Sequence, residues 1–202
     1  EKRKNPANDL LSAIANAEIN GEKLSDEFLD GSWLLIVFAG NDTTRNTMSG
    51  GIKLLHENQK HKETLIDNLE LLPNFINETV RCVSPVIHMR RTSLEETEIN
   101  GQKIGPYEKI ALWYGAANRD PDVFEDPDKF NILRDNADKH LAFGIGRHTC
   151  IGKPVALMQL QEFYSQFLTR FQDFEMNGDW KVAPNNFVHA IQEMPIKFSP
   201  SK

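Results

Sequence analysis

The feature that most constrains the fold of this chain is a glycine-rich loop around one cysteine, placed directly before a predicted helix. The loop reads Phe143-Gly144-Ile145-Gly146-Arg147-His148-Thr149-Cys150-Ile151-Gly152. Glycines permit tight turns that bring backbone amides close to the sulfur. A helix that begins just after Cys150 directs its free N–H groups and positive dipole end towards a thiolate. The pattern therefore predicts a stabilised thiolate at the start of a helix.

Two further side chains of this loop fit the same interpretation. Phe143 can shield the sulfur from water, and His148 can donate a hydrogen bond to a negatively charged group beside a bound ring. A thiolate held in this way suits haem iron, because it pushes electron density that favours cleavage of the O–O bond. The alternative is a buried free cysteine after a glycine-rich turn, a common setting for a lone cysteine.

Composition argues against several other classes of protein. The 202-residue chain is 40% hydrophobic and has a formal net charge of -6, which argues against nucleic acid or an anionic membrane surface as a partner. The longest apolar run, Trp33 to Ala39, is far shorter than the ~20 residues of a membrane-spanning helix. Cys82 and Cys150 are too few for a disulfide framework and form no cluster with zinc spacing. We therefore expect a soluble, cytoplasmic protein of bacterial type.

Hydrophobic periodicity and turn signals predict a mainly α protein with a minor β component. Helices are expected at about 8–17, 25–57, up to Pro73, 74–82 and 154–171, with Asn20-Gly21 as the turn that ends the first helix. Turn dipeptides between short alternating runs predict hairpins over 91–114. An irregular segment is expected at 118–136, and short strands from about Asp173.

The middle of the long predicted helix carries the segment Ala39-Gly40-Asn41-Asp42-Thr43-Thr44. Small residues at 39 and 40 allow another group to approach the backbone, and a threonine hydroxyl inside a helix can bond the preceding turn and open the helix locally. A hydroxyl beside a carboxyl can then hold a water and relay protons. The alternative is an amphipathic helix with a polar patch.

Together these segments resemble the cytochrome P450 family. The cysteine loop is similar to its haem-ligand signature, Phe-x-x-Gly-x-(His/Arg)-x-Cys-x-Gly, and Ala39 to Thr44 is similar to its oxygen-binding motif. The resemblance implies that Cys150 is the axial ligand of haem b, that Thr43 steadies dioxygen, and that Asp42 supplies protons. The haem-binding residues that it implies are Cys150, His148, Arg91, Phe143, Gly144, Gly152 and Ala39.

The resemblance also assigns structural residues. Glu78 and Arg81 share a helix face and match the family's Glu-x-x-Arg, with Arg134 as the third partner. Taken alone, a Glu three residues before an Arg is equally typical of a solvated helix face.

Downstream of this helix, the resemblance implies that Arg91 contacts a haem propionate, with Arg90 or His88 as weaker candidates. A solvated basic pair is the alternative for the two arginines. Val86 and Ile87 are expected to line the substrate pocket. Where the family usually has Lys-Gly at 106 and 107, the turn glycine is expected to have moved to Gly105.

The family domain is roughly twice as long as this chain. Residues 1–202 are therefore expected to be one partial domain, the C-terminal half of the fold, with the N-terminal half missing. The expected fold has a long oxygen-binding helix, a Glu-x-x-Arg helix, a small β region, a meander, and the cysteine loop with the helix that follows it. Alone, such a piece would expose a large apolar surface.

The function that the resemblance implies is insertion of one atom of dioxygen into an unactivated C–H bond of a small hydrophobic substrate. The motifs look like those of bacterial alkane and fatty-acid terminal hydroxylases. A steroid side-chain hydroxylase and a truncated haem-binding remnant without turnover are the alternatives. Electrons are expected from a soluble ferredoxin and its NAD(P)H-dependent reductase, docking near Arg147, Lys139 and Lys153.

Overall fold

The computed structural model describes residues 1–200. The chain divides into two compact units, residues 1–41 and the remainder from Asp42. Within residues 1–200, no helix is both long enough and apolar enough to cross a membrane.

Residues 1–41 begin with a short helix and a short hairpin. Helix α1, Leu10–Ala15, starts at Asp9, whose side chain accepts a hydrogen bond from the Ser12 amide at 2.7 Å. Strands β1 and β2 cover Glu18–Ile19 and Glu22–Lys23. The prediction that Asn20-Gly21 ends the helix is wrong, because these residues take positive φ angles of 55° and 83° and form the two-residue turn of the hairpin.

The 32-residue helix α2, Asp26–Glu57, begins in this unit and continues into the second. It carries a row of exposed apolar side chains at Leu34, Leu35 and Val37. The helix is continuous through Ala39 to Thr44.

The remainder from Asp42 contains three further helices around an apolar core. They are α3, Gln59–Asp67, α4, Leu72–Val83, and α6, Lys153–Arg170, with a one-turn helix α5, Tyr114–Ala117. Pro73 was expected to end a helix, but it lies in the first turn of α4, where a residue without an N–H costs no hydrogen bond. The rings of Phe75 and Tyr164 pack edge to face 4.7 Å apart at the centre of the core.

Glycines let α2 approach this core closely. A Cβ atom at Gly51 would lie 2.1 Å from the Tyr164 hydroxyl, and one at Gly50 would lie 2.5 Å from Val83. The Tyr164 hydroxyl instead donates to the carbonyl oxygens of Thr47 and Met48, at 2.9 and 3.1 Å. Complete burial raises the Tyr164 pKa well above its usual value and keeps the hydroxyl protonated. The C-terminal part of α2 is therefore locked against α6.

The β component consists of two-stranded ribbons. Strands β3, His88–Thr92, and β6, Lys109–Trp113, pair with Arg91 opposite Ile110. The β4–β5 hairpin, Thr97–Ile99 and Gln102–Ile104, turns at Asn100-Gly101 as predicted. The last four strands pair in two ribbons, β7 with β10 and β8 with β9, over the ranges Asp173–Met176, Lys181–Ala183, Ala190–Glu193 and Ile196–Ser199.

The turn before β6 differs from the prediction. Gly105 does not take a left-handed conformation, and the residue with positive φ is Tyr107, at 64°. Pro106 precedes it, which is the residue order of a type II turn, whose third position requires positive φ. The position that the turn geometry demands has therefore stayed at 107, and a tyrosine occupies it at some conformational cost.

The candidate haem-thiolate site

The cysteine loop is shaped by hydrogen bonds between its own backbone atoms. The Gly144 amide donates to the Leu141 carbonyl at 2.8 Å, and the Cys150 amide donates to the Phe143 carbonyl at 2.8 Å. Gly144 and Gly146 have φ angles of 71° and 68°, which other residues adopt only with strain. A side chain at Gly144 would also come within 3.1 Å of the His148 carbonyl oxygen. The two glycines are therefore required by the path of the loop.

The loop delivers Cys150 to the N-terminus of helix α6. Gly152 is the N-cap of this 18-residue helix, and a Cβ atom there would lie 3.7 Å from the Cys150 sulfur. The free thiol is exposed and lies at the N-terminal end of this helix. The expected alternative of a buried cysteine does not describe this thiol.

Three side chains that follow Cys150 in the chain are apolar and exposed, which suits a flat apolar ring. Ile151, Val155 and Met158 are 98%, 53% and 64% exposed. Val155 and Met158 are three residues apart on one face of α6, and Ile151 lies just before the helix. Exposed apolar side chains in a row beside a thiol are unusual on a free protein surface. Haem, with an apolar macrocycle and an iron that takes a thiolate ligand, is chemically suited to cover them.

Phe143 holds the base of the loop. It packs against the core, its ring centroid lies 5.6 Å from that of His140, and the Lys153 ammonium lies 5.5 Å from the same centroid. Burial, with a smaller contribution from Lys153, lowers the His140 pKa to about 4, so this imidazole is neutral at physiological pH. The side chain of His148, in contrast, is exposed. Its predicted contact with a propionate remains a prediction.

The β3–β6 ribbon joins the loop through Tyr114. A Cβ atom at Gly144 would lie 3.7 Å from the Tyr114 hydroxyl, and Tyr114 directly follows β6. On the paired strand, Arg91 is half-buried and its guanidinium donates to the Arg90 carbonyl at 2.9 Å. No ion pair is formed by Arg91 within the described part of the chain. Its remaining N–H groups are therefore suited to an anionic ligand.

His88, the other candidate for a propionate contact, stacks on Trp113 with ring centroids 4.9 Å apart. Its Nδ1 atom is buried and has no hydrogen-bond partner among residues 1–200. Arg90 is exposed.

Glu78, Arg81 and Arg134 come together in one buried network. Glu78 and Arg81 are completely buried, and both Glu78 oxygens accept from Arg81, at 2.7 and 2.8 Å. Arg134 Nε lies 3.2 Å from each of the same oxygens, and the Asn131 amide donates to one of them at 2.9 Å. The guanidinium groups also donate to carbonyls at positions 118, 125, 126, 127 and 129. The network thereby ties the irregular segment to α4.

The acid–alcohol pair lies on α2. Asp42 and Thr43 are half-buried, and the Asp42 carboxylate pairs with Arg45 at 3.1 Å. The Thr43 carbonyl accepts a hydrogen bond from the Thr47 hydroxyl at 2.8 Å. Ala39 is exposed on the part of α2 that belongs to residues 1–41. The roles of these residues remain predictions.

The C-terminal tail contributes contacts that the sequence did not indicate. Residues 187–189 run along the segment that contains Val86 and Ile87, since the Ile87 amide donates to the Phe187 carbonyl and the His189 amide to the Pro85 carbonyl, at 2.8 and 2.9 Å. Asn46 on α2 accepts from the Ile191 amide at 3.1 Å. These pairings join residues about 100 or more positions apart, so no local pattern could have revealed them.

The sequence model of the cytochrome P450 family matches residues 1–198. This chain belongs to the cytochrome P450 family. The family and the mainly α fold predicted from the sequence are thereby confirmed.

Among curated relatives, this cytochrome P450 is 38% identical to linalool 8-monooxygenase of Pseudomonas putida over 98% of the chain and 49% of that protein. It is 38% identical to a steroid C26-monooxygenase of Mycolicibacterium smegmatis, over the whole chain and 50% of that protein. It is 33% identical to a methyl-branched lipid omega-hydroxylase of Mycobacterium bovis, over 98% of the chain and 47% of that protein. The chain thus spans about half the length of the relatives it matches.

Among solved structures, it superimposes on the cytochrome P450-153 of Novosphingobium aromaticivorans with a TM-score of 0.89 and 38% identity. That match covers 95% of this chain and 48% of the other. Similarity at this level agrees with the family assignment.

Proposed function

We propose that the protein containing this chain is a haem-thiolate monooxygenase and that Cys150 is the axial ligand of its haem b. The observation that carries the proposal is the position of Cys150. Its exposed thiol lies at the N-terminus of α6, at the end of a loop in which Gly144 and Gly146 have left-handed conformations. A row of exposed apolar side chains lies beside it. When bound, haem activates dioxygen so that one atom enters a C–H bond and the other leaves as water.

The other proposed haem contacts are Phe143, Gly144, Gly152, Arg91, His148 and Ala39. Phe143 and Gly144 form the base of the loop, and Gly152 begins the helix. Arg91 and the exposed His148 are donors for the carboxylates of the ring, because both carry N–H groups that can reach an anion. Ala39 is proposed to let the ring approach α2, since its side chain is small.

Asp42 and Thr43 are proposed to transfer protons from solvent to the reaction site. The Asp42 carboxylate is paired with Arg45, whose side chain is 57% exposed. An exposed pair of this kind is weak, worth about 1 kcal/mol or less, so the carboxylate can release Arg45 and carry a proton from solvent inwards. The Thr43 hydroxyl would hold the water or oxygen atom that receives the proton. Asp42→Asn is expected to slow oxygen consumption by about 10²-fold or more, with a larger solvent isotope effect; unchanged kinetics would remove Asp42 from this role.

The proposed substrate is a small hydrophobic molecule, hydroxylated at the end of its chain, such as an alkane or fatty acid. The likeness to a methyl-branched lipid omega-hydroxylase supports this proposal. The second candidate is hydroxylation of a steroid side chain, which the higher identity to steroid C26-monooxygenase favours. Val86 and Ile87 are the proposed pocket residues. The test is to titrate the full-length protein with a fatty acid, an alkane and a sterol and to follow the haem absorption spectrum. The compound that shifts the spectrum at micromolar concentration identifies the substrate class.

The proposed electron donor is a soluble ferredoxin with its NAD(P)H-dependent reductase. Arg147 and Lys139 are exposed, and Lys153 is half-buried at the N-terminus of α6. Together with the exposed cysteine loop they would present positive charge to an acidic partner. Arg147→Glu is expected to slow reduction by ferredoxin at low salt, whereas equal rates for both proteins would argue against docking here.

The decisive experiment is the absorption spectrum of the reduced, carbon-monoxide-bound protein, made from the full-length gene. The wild type is expected to show the strongly red-shifted Soret band of thiolate ligation. Cys150→Ser is expected to lose it, and Cys82→Ser is the matched control that keeps it. Absence of haem from the wild type, or an unshifted band in all three proteins, would refute the proposal.

A further inference from the structure

Asn118, at the end of α5, is completely buried and uses every polar atom it has. Its amide donates to the Tyr114 carbonyl at 2.9 Å, and its carbonyl accepts from Arg81 Nη1 at 2.8 Å. Its side-chain Oδ1 accepts from the Leu141 amide at 2.7 Å, and Nδ2 donates to the Ser84 hydroxyl at 2.8 Å. One side chain thus joins two segments that lie 34 residues before it and 23 residues after it.

Leu141, which Asn118 bonds on one side, lies two residues before the cysteine loop. Leu141 lies in an irregular segment where no strand supplies an acceptor for its amide, and the Asn118 side chain takes that place. The carbonyl of the same residue accepts from Gly144, and the Phe143 carbonyl accepts from Cys150. Two short steps therefore connect Asn118 to the backbone of the cysteine.

The Ser84 contact fixes the other side. Ser84 ends α4 in a left-handed conformation with φ 42°, and its hydroxyl donates to the Arg81 carbonyl at 2.9 Å. Asn118 is thus attached both to the end of the helix that carries the Glu78–Arg81 pair and to the first turn of the cysteine loop. A neutral amide is the group that serves here, since it offers an acceptor to Leu141 and a donor to Ser84 at once.

We propose that Asn118 is a positioning residue that holds the cysteine loop in place by bonding the Leu141 amide to the end of helix α4. The part of this proposal that concerns haem rests on the proposed function above. Without the Asn118 side chain, the Leu141 amide loses its acceptor and the turn at Gly144 loosens. The Cys150 thiolate is then held less firmly against the iron.

The test compares Asn118→Ala with Asn74→Ala in the full-length, haem-loaded protein. Asn74 is the matched control because its side chain also ties α4 to the irregular segment, through the carbonyls of Ile132 and Arg134 at 2.7 and 3.1 Å. Amide hydrogen exchange is followed by mass spectrometry. Loss of one buried hydrogen bond is expected to accelerate exchange of residues 140–152 about tenfold in Asn118→Ala. In Asn74→Ala, acceleration is expected in residues 131–136 instead.

A second readout is the fraction of the reduced, carbon-monoxide-bound protein that keeps the thiolate band. On warming, Asn118→Ala is expected to lose this band several-fold faster than the wild type. Asn74→Ala is expected to lose it at the wild-type rate when each protein is held at the same interval below its melting temperature. Equal exchange of residues 140–152 in the two variants would overturn the proposal. The exchange result does not depend on ligation by Cys150, so a failure of the proposed function would be seen separately, in the wild-type spectrum.

If Asn118→Ala does not fold, Asn118→Asp takes its place. The aspartate keeps an acceptor for Leu141 but has no donor for Ser84. Residues 140–152 are then expected to exchange within about twofold of the wild type, while residues 81–86 exchange faster. Faster exchange of both segments to the same extent would contradict a specific bond to the loop.

Discussion

Replacing Glu78 by glutamine tests whether the buried charge network sets the stability of this fold. The carboxylate is completely buried and accepts hydrogen bonds from Arg81, from Arg134 Nε and from the Asn131 amide. Glutamine keeps the shape, but its NH₂ group faces guanidinium donors and two buried positive charges lose their counter-ion. Breaking a buried pair in this way costs about 3–5 kcal/mol. We expect the melting temperature to fall by roughly 10 °C.

The assay is thermal and denaturant unfolding of the full-length protein, followed by tryptophan fluorescence and by circular dichroism. Glu57→Gln is the matched control, because Glu57 pairs with Lys53 on one exposed face of α2. An exposed pair of this spacing contributes about 0.5 kcal/mol or less. The two glutamine variants are therefore expected to differ by several kcal/mol, although each removes one carboxylate from an ion pair.

If Glu78→Gln changes the free energy of unfolding by less than about 1 kcal/mol, the reasoning from uncompensated charge is refuted.

Three further predictions concern single positions. The His140 pKa is lowered to about 4 in the folded protein from an unfolded value of 6.5, so the unfolded chain binds the proton first. The free energy of unfolding should be highest above pH 6.5 and should fall by about 3 kcal/mol as the pH is lowered from 6.5 to 4. In urea unfolding, His140→Gln should show a smaller fall than the wild type, and equal falls would refute this prediction. Tyr107→Gly should raise the free energy of unfolding by about 1 kcal/mol, because φ is 64° there and the side chain is exposed. An unchanged melting temperature would argue against backbone strain at this position. Gly144→Ala should lower the free energy of unfolding more than Gly101→Ala in the same assay, and it should also reduce haem retention. Both glycines have positive φ, but only at Gly144 would the added Cβ lie 3.1 Å from a backbone atom. Equal losses of stability would show that this crowding is unimportant.

Much of this protein could be predicted from local sequence. The glycines of the cysteine loop, the helix that begins after Cys150 and the hairpin turn at Asn100-Gly101 each depend on conformations set within a few residues. The order of the motifs was sufficient to predict the family. Glu78 and Arg81 lie one helical turn apart, so their pairing also belongs to this local class.

Other features were decided by tertiary structure alone. Asn118 bonds segments 34 and 23 residues away, and Asn46 bonds a strand 145 residues away. Tyr107 takes a glycine conformation because Pro106 and the pairing of β3 with β6 determine the turn around it. The sequence by itself determined where tight turns, helix starts and the cysteine loop would occur, because these follow from the conformational freedom of a few neighbouring residues. Which distant group satisfies each buried polar atom was decided only when the chain packed, because that pairing depends on the positions of elements far apart in sequence.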